Sequence, residues 1–275
     1  MKTFLRYDIS VQTKQYPFKA PREIEELSQE LFLKCSKYSI VDQTMLLLVP
    51  IDVPEYNLIM KFKSDYPEYT SKLVIYEHKY SKKEIEEAEF LLLKSKSMVI
   101  LQNNKVRFEK CCEKGKFSGK QINSFIINKN QFQNKVISGT NVYRYLVSIE
   151  AKEKLEETEI SNIIFIPVYS VNNSELVAYQ IEVQSLLQSL EPYNNWGIYK
   201  KCENCGKILS NTKHNFPQPF MIPKDYMKEL KDFNATSEVF TELASRYYII
   251  SKKMYKTLQI LNAKKLICEP IKFID

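Results

Sequence analysis

The stretch Tyr145-Leu-Val-Ser-Ile-Glu-Ala-Lys-Glu-Lys-Leu155 has a counterpart in Tyr248-Ile-Ile-Ser-Lys-Lys-Met-Tyr-Lys-Thr-Leu258. In each copy an apolar strand pattern ends at a serine, whose hydroxyl can cap the helix that follows. The helix then presents an i, i+4 apolar pair to a core. A second strand pattern runs to a proline nineteen residues after the serine, at Pro167 and Pro270. The sequence therefore predicts a strand–helix–strand unit that is used twice.

The repeat extends upstream of these stretches. Thr140 precedes the first serine by eight residues and Thr236 precedes the second by fifteen. Further back, Cys111-Cys-Glu-Lys-Gly115 stands where Cys202-Glu-Asn-Cys-Gly206 stands in the second half. Because these residues recur in the same order, we predict a duplicated plan, with chance agreement of short apolar patterns as the alternative.

The first hundred residues alternate between strand and helix patterns. Residues 2–10 read as a strand, and Pro21 opens a helix with one apolar stripe. Ser81 begins a second helix that we extend to Leu92. Short apolar runs predict further strands: Met45–Val49, Leu58–Phe62, Leu73–Tyr76, Met98–Leu101, Val106–Phe108 and Ser124–Ile127.

The fold class is therefore α+β, with mixed β-sheets and short helices. We predict an N-terminal α+β region over residues 1–100, a first repeat unit over 101–170 and a second repeat unit with the CxxCG knuckle over 171–275. One continuous domain with the same plan is the alternative.

Composition excludes several functional classes. The 275 residues include 5 Gly, whose positions leave no room for a G-x-G-x-x-G dinucleotide turn, and 2 His, too few to favour histidine-centred zinc hydrolysis. The chain has 40 basic and 33 acidic residues, hence a net charge of +7. Only five basic residues are Arg, the residue that reads guanine best, so nucleic acid is an unfavoured partner. The N-terminus carries no signal-peptide pattern and no apolar run is long enough to span a membrane, so we expect a cytoplasmic protein.

The six cysteines are the main candidates for chemistry. In a reducing compartment they would be thiols or metal ligands rather than a disulfide framework. The Cys-x-x-Cys-Gly turn has the spacing of a zinc knuckle, because two thiolates two residues apart can face one tetrahedral ion. We predict a structural Zn²⁺ site, and a knuckle that has lost its metal is the alternative. The predicted ligands are Cys202, Cys205, Cys111 and Cys112, with His214 as a substitute.

These motifs resemble the double-CxxCG family of immunity proteins that accompany bacterial polymorphic and contact-dependent toxins. The resemblance covers the C-terminal two thirds of the chain. It rests on Trp196, Cys202-Glu-Asn-Cys-Gly206, Asp232-Phe-Asn-Ala-Thr236 and the ending Tyr248-Ile-Ile-Ser251 to Cys268-Glu-Pro270. The first motif departs from the pattern, because Lys114 stands where its second cysteine belongs.

The resemblance implies a cytoplasmic protein that binds and neutralises one cognate protein toxin and has no catalysis of its own. The alternative is a nucleic-acid-binding zinc-ribbon protein. That hypothesis is motivated by the basic residues around the cysteines, namely Arg107, Lys110, Lys114, Lys116, Lys120, Lys200, Lys201 and Lys207.

Overall fold

The structure is a computed structural model in which the chain divides into two compact units. The first unit is Met1–Ser81 with Lys213–Pro219, and the second is Lys82–Thr212 with Phe220–Asp275. The described residues are 1–8, 20–40, 45–67, 69, 75–101, 107–113, 118–171, 174–194, 198–210, 218–240, 245–263 and 266–275. No helix in these ranges is long and apolar enough to cross a membrane.

The first unit packs two helices with an antiparallel sheet of order β2-β1-β3. Helix α1 buries Ile24, Leu31 and Cys35, which confirms the predicted stripe. The elements are β1 (Lys2–Asp8), α1 (Arg22–Cys35), a 3-10 turn (Ser36–Tyr38), β2 (Leu46–Pro50), α2 (Pro54–Asp65) and β3 (Ile75–Lys79).

One predicted strand of this unit is wrong. Leu58–Phe62 lies inside α2, a helix that starts with Pro54 in its first turn and buries Ile59 and Phe62 one turn apart. Proline is favoured at the first helical position because its missing N–H is unpaired there anyway. The apolar run therefore lies within a helix that begins four residues earlier, with Ile59 and Phe62 on its buried face and Leu58 exposed.

The second unit contains two copies of one plan. Repeat 1, residues 90–170, comprises β4 (Phe90–Ser95), β5 (Met98–Val99), β6 (Phe108–Lys110), β7 (Ser118–Gln121), β8 (Ile126–Ile127), α4 (Lys129–Phe132), β9 (Ile137–Thr140), β10 (Tyr145–Val147), α5 (Ile149–Glu157) and β11 (Ile163–Ser170). Repeat 2, residues 176–274, comprises β12 (Leu176–Val183), α6 (Glu191–Asn194), β13 (Ile198–Lys201), β14 (Ile208–Ser210), β15 (Met221–Pro223), a 3-10 turn (Lys224–Lys228), β16 (Phe233–Ala235), β17 (Tyr248–Ser251), α7 (Lys252–Ile260), β18 (Leu266–Pro270) and β19 (Lys272–Ile274). A short helix, α3 (Lys82–Glu87), precedes repeat 1.

The serine caps are confirmed in both repeats. The Ala151 N–H donates to the Ser148 hydroxyl over 3.0 Å, and the Met254 N–H donates to the Ser251 hydroxyl over 3.1 Å. Each bond satisfies one of the backbone donors that a helix start leaves unpaired, which stabilises the helix by about 1 kcal/mol. The α+β class and the duplicated strand–helix–strand element are therefore present as predicted.

The two threonines also hold equivalent places. The Thr140 hydroxyl accepts the N–H of Arg144, and the Thr236 hydroxyl accepts the N–H of Tyr247. The threonine N–H groups donate to the carbonyl oxygens of the same two partners. The unequal threonine–serine spacing is thus taken up by a longer loop between β16 and β17.

The repeats exchange their first strands. Strand β12 lies between β10 and β11 in the six-stranded sheet β5-β9-β10-β12-β11-β8, and β4 lies between β17 and β18 in the four-stranded sheet β16-β17-β4-β18. All these central pairings are antiparallel. Strand β4 of repeat 1 therefore completes the sheet of repeat 2, and β12 of repeat 2 completes the sheet of repeat 1.

The exchanged strands occupy the same register. Phe165 lies opposite Ile181 in the first sheet, and Cys268 lies opposite Leu93 in the second. The prolines match as well, since Pro167 faces Tyr179 and Pro270 faces Leu91. Agreement at several positions without a slip indicates that the two sheets are copies, because a one-residue slip would turn every side chain to the other face.

This exchange corrects the predicted helix from Ser81 to Leu92. Helix α3 ends at Glu87, and Leu91, Leu92 and Leu93 are buried in β4 between two partner strands. A continuous apolar run of this length is typical of a strand covered on both faces.

One hydrophobic core joins the two repeats. Helices α5 and α7 contact each other, and equivalent residues of both copies meet in the same cluster. The rings of Tyr145 and Tyr248, the first residues of the two quoted stretches, pack edge to face at 5.5 Å between centroids. The cluster includes Val147, Ala151, Leu155, Ile250, Met254 and Leu258.

Candidate metal centre

Two short hairpins carry the cysteine turns. Strands β6 and β7 form the first hairpin and β13 and β14 form the second, and both are antiparallel. Lys110 and Lys201 stand immediately before the leading cysteines and pair with Ser118 and Ile208 of the returning strands. The turns therefore occupy equivalent places in repeats 1 and 2.

The second turn is built by its own backbone. The Cys202 N–H donates to the Lys207 carbonyl over 2.8 Å, and the Gly206 N–H donates to the Cys202 carbonyl over 2.9 Å. Gly206 has φ of +71°, a left-handed conformation that strains residues with a Cβ. This explains the glycine of the motif.

The structure brings the four predicted cysteines together. The sulfurs of Cys111, Cys112, Cys202 and Cys205 all lie within 4.8 Å of one another, close enough to hold a metal ion. Cys111 Sγ is 3.7 Å from the Sγ atoms of Cys202 and Cys205, and Cys112 Sγ is 3.9 Å from Cys202 Sγ. All four are free thiols. His214, the substitute ligand, lies outside the described residues.

The four thiols differ in their surroundings. The backbone N–H groups of Cys205 and Asn204 donate to the buried Cys202 sulfur and lower its pKa to about 6. Loss of solvent, followed by hydrogen bonds with the neighbouring thiols, raises the pKa of Cys112 to about 12. The turn therefore favours the thiolate at Cys202 and the thiol at Cys112, and a bound cation would favour the thiolate form of its ligands.

Apolar side chains cover one side of the cluster. Leu209 of β14 and Val239 pack against Cys202, with Cys111 and Cys112 at the margin. Val239 belongs to the long loop between β16 and β17, and its carbonyl accepts the Ser210 N–H over 2.7 Å. Sequence reasoning missed Val239, because nothing in the sequence ties this loop to the cysteines.

Basic residues outnumber acidic residues around the hairpins. Lys207 is partly buried among the thiols, and this burial lowers its pKa although the Cys111 charge opposes the shift. Arg107, Lys110, Lys200 and Lys201 are exposed, as are the acidic residues Glu109, Glu113 and Glu203. Lys114 and Lys116 lie outside the described residues, and the side chain of Lys120 is not described.

The other histidine is a structural residue. His78 lies in β3, and its Nδ1 is 3.1 Å from the Thr3 hydroxyl of the neighbouring strand. Within the described ranges, the four cysteines form the one group of three or more His, Cys, Asp or Glu side chains that lie close enough to share a metal ion.

Neither a family model nor a curated protein matches the chain, so comparison with known proteins assigns it to no family.

Proposed function

We propose that this chain is an immunity protein that binds and neutralises a cognate bacterial protein toxin, and that one structural Zn²⁺ clamps its two cysteine hairpins. The observation that carries the proposal is that the two cysteine turns stand in equivalent hairpins and meet at one cluster. The motif order resembles the double-CxxCG immunity proteins, with the adjacent pair Cys111 and Cys112 in place of the first CxxCG turn.

The sulfur distances suit zinc. A tetrahedron with Zn–S bonds of about 2.3 Å has sulfur–sulfur edges of about 3.8 Å. Three of the six sulfur–sulfur separations, 3.7 to 3.9 Å, fit these edges, and all six are within 4.8 Å, whereas a disulfide would need about 2 Å. Four thiolates would fill the tetrahedron and leave no open position for a substrate, which supports a structural role.

A zinc clamp suits a protein that acts by binding. It would fix two hairpins from different repeats before the partner arrives, so that less conformational entropy is lost on association. Inhibition of this kind needs one chain per toxin and works by covering an active site or holding an inactive conformation. The exposed aromatic Tyr143 and Tyr169 are examples of the anchors that such interfaces favour.

The test is rescue from the toxin encoded beside this chain. Bacteria expressing that toxin should survive when this chain is co-expressed, and the purified pair should form a one-to-one complex by size-exclusion chromatography with light scattering. A chain carrying Cys202→Ser and Cys205→Ser should rescue less well. Cys35→Ala, which leaves the hairpins untouched, is the matched control. Absence of both rescue and complex with the neighbouring toxin would refute the immunity function without affecting the zinc site.

The nucleic-acid alternative gains little from the hairpins. The two hairpin segments carry eight basic residues and three glutamates, and a zinc ion with four thiolates adds a charge of about −2, so only a small positive excess remains. Nucleic-acid binding by phosphate contacts would show a log affinity that falls steeply with log salt. We expect no such binding to duplex or single-stranded DNA and RNA at physiological salt.

A further inference from the structure

The exposure of one sulfur distinguishes the cysteine cluster from a sealed structural site. Cys205 is exposed, Cys111 and Cys112 are partly buried, and Cys202 is buried. Metal-bound thiolates keep nucleophilic character, so an oxidant that reaches the cluster meets Cys205 first.

One close partner of the exposed sulfur lies in the other hairpin. Cys205 Sγ is 3.7 Å from Cys111 Sγ, so a disulfide requires the two sulfurs to approach by about 2 Å. Cys202 is less suited to attack an oxidised Cys205, because its sulfur is buried and already accepts backbone N–H groups. Cys111 is therefore the favoured partner of an oxidised Cys205.

We propose that the cluster is a peroxide-sensitive switch in which a Cys111–Cys205 disulfide replaces the metal as the link between the two repeats. This inference rests on the zinc site proposed above. It concerns a second state of that site, in which the hairpins stay joined after the metal has left.

The reaction uses hydrogen peroxide as the oxidant. The Cys205 thiolate attacks one peroxide oxygen, the O–O bond breaks, and a sulfenic acid and hydroxide form. The Cys111 thiolate then attacks the Cys205 sulfur, the S–O bond breaks, and a disulfide and a second hydroxide form. Two protons convert the hydroxides to water. The sulfurs together lose two electrons and the peroxide gains two, while the zinc ion keeps its charge.

Loss of two ligands releases the ion. Zinc in structural sites is held by four ligands, and Cys112 and Cys202 alone would leave half of them. The disulfide joins the hairpins of repeats 1 and 2, so the released protein keeps a covalent link where a chelated, reduced protein has none.

The experiment treats the zinc-loaded full chain with hydrogen peroxide. Released zinc is followed with a chromogenic chelator, remaining thiols are counted, and tandem mass spectrometry assigns the cross-linked peptides. We expect about one zinc ion released for two thiols lost, with Cys205 joined to Cys111. Cys35 and Cys268, buried elsewhere, should stay reduced.

Two variants sharpen the assignment. The Cys112→Ser variant should still form the Cys111–Cys205 disulfide. The Cys205→Ser variant should leave Cys111 without a disulfide partner. Retention of zinc under peroxide, or a disulfide between Cys202 and Cys205, would overturn the switch while leaving the zinc site in place. Protein that holds no zinc before oxidation would overturn the zinc site itself, and the switch with it.

Discussion

Repeats 1 and 2 share strand order, register and serine caps, but they differ at the cysteines. Repeat 2 has a spaced pair whose turn donates backbone N–H groups to Cys202, whereas repeat 1 has the adjacent pair Cys111 and Cys112. The four sulfurs nevertheless reach one point. The difference teaches that the geometry of the site is set by the two hairpins together, and not by one repeated cysteine motif.

Removal of the metal should lower the free energy of unfolding more than any other change considered below. With zinc in solution at about a thousand times its dissociation constant, binding stabilises the folded state by about 4 kcal/mol. A strong chelator should therefore lower the free energy of unfolding by about that amount in denaturant titrations. Cys202→Ser should remove the dependence on the chelator, and a native chain that unfolds identically with and without chelator would contradict this expectation.

Truncation of a core leucine should lower the free energy of unfolding equally in both repeats. Leu155 and Leu258 are fully buried, one in each capped helix. Each substitution to Ala should cost about 3 kcal/mol, because it removes apolar contacts and leaves a cavity. Urea unfolding of the two variants measures this. Costs that differ by more than twofold would show that the copies are not energetically equivalent.

Removal of the capping serine should lower the free energy of unfolding by different amounts in the two repeats. Ser251 also donates to Asp232 Oδ1 over 2.6 Å, whereas Val136, the residue equivalent to Asp232, offers Ser148 no carboxylate. We expect Ser148→Ala to cost about 1 kcal/mol and Ser251→Ala about 2 kcal/mol, the excess coming from a charge-assisted hydrogen bond. Thermal and chemical unfolding should rank the two variants in this order, and equal costs would remove the asymmetry.

The smallest expected effect on stability comes from the ionisation of the metal-free cluster. Cys202 has its pKa lowered to about 6 from the usual 9, so ionised Cys202 stabilises the folded apoprotein above pH 9, and this contribution is lost as pH falls toward 6. Thiolate absorbance near 240 nm should show about one thiolate per cluster at pH 7. Cys202→Ser should abolish it and Cys112→Ser should retain it.

Local patterns explain what could be predicted from the sequence. The serine caps, the apolar helix pairs and the threonines depend on residues a few positions apart, so their periodicity is readable. The cysteines could be grouped because they recur in the same order in both halves. Pro54 and Glu55 mark the start of α2 in the way that Pro21 and Glu23 mark α1, so the missed helix was in principle detectable.

The strand exchange could not be predicted. Leu91 and Leu92 hold the places that Tyr179 and Gln180 hold in the other sheet, so the first strands share a position but no side-chain character. Their pairings join segments far apart in the chain, and no local signal specifies which copy a strand completes. The repeat seen in the structure therefore begins upstream of the start that the sequence suggests.

The zinc content of the purified chain tests the central claim most directly. Native mass spectrometry should find about one zinc ion per chain, and Cys111→Ser and Cys205→Ser, one from each hairpin, should both lose it. Less than about a tenth of an equivalent of zinc in the native chain, or full retention after loss of a cysteine from either hairpin, would contradict a site shared by the two repeats.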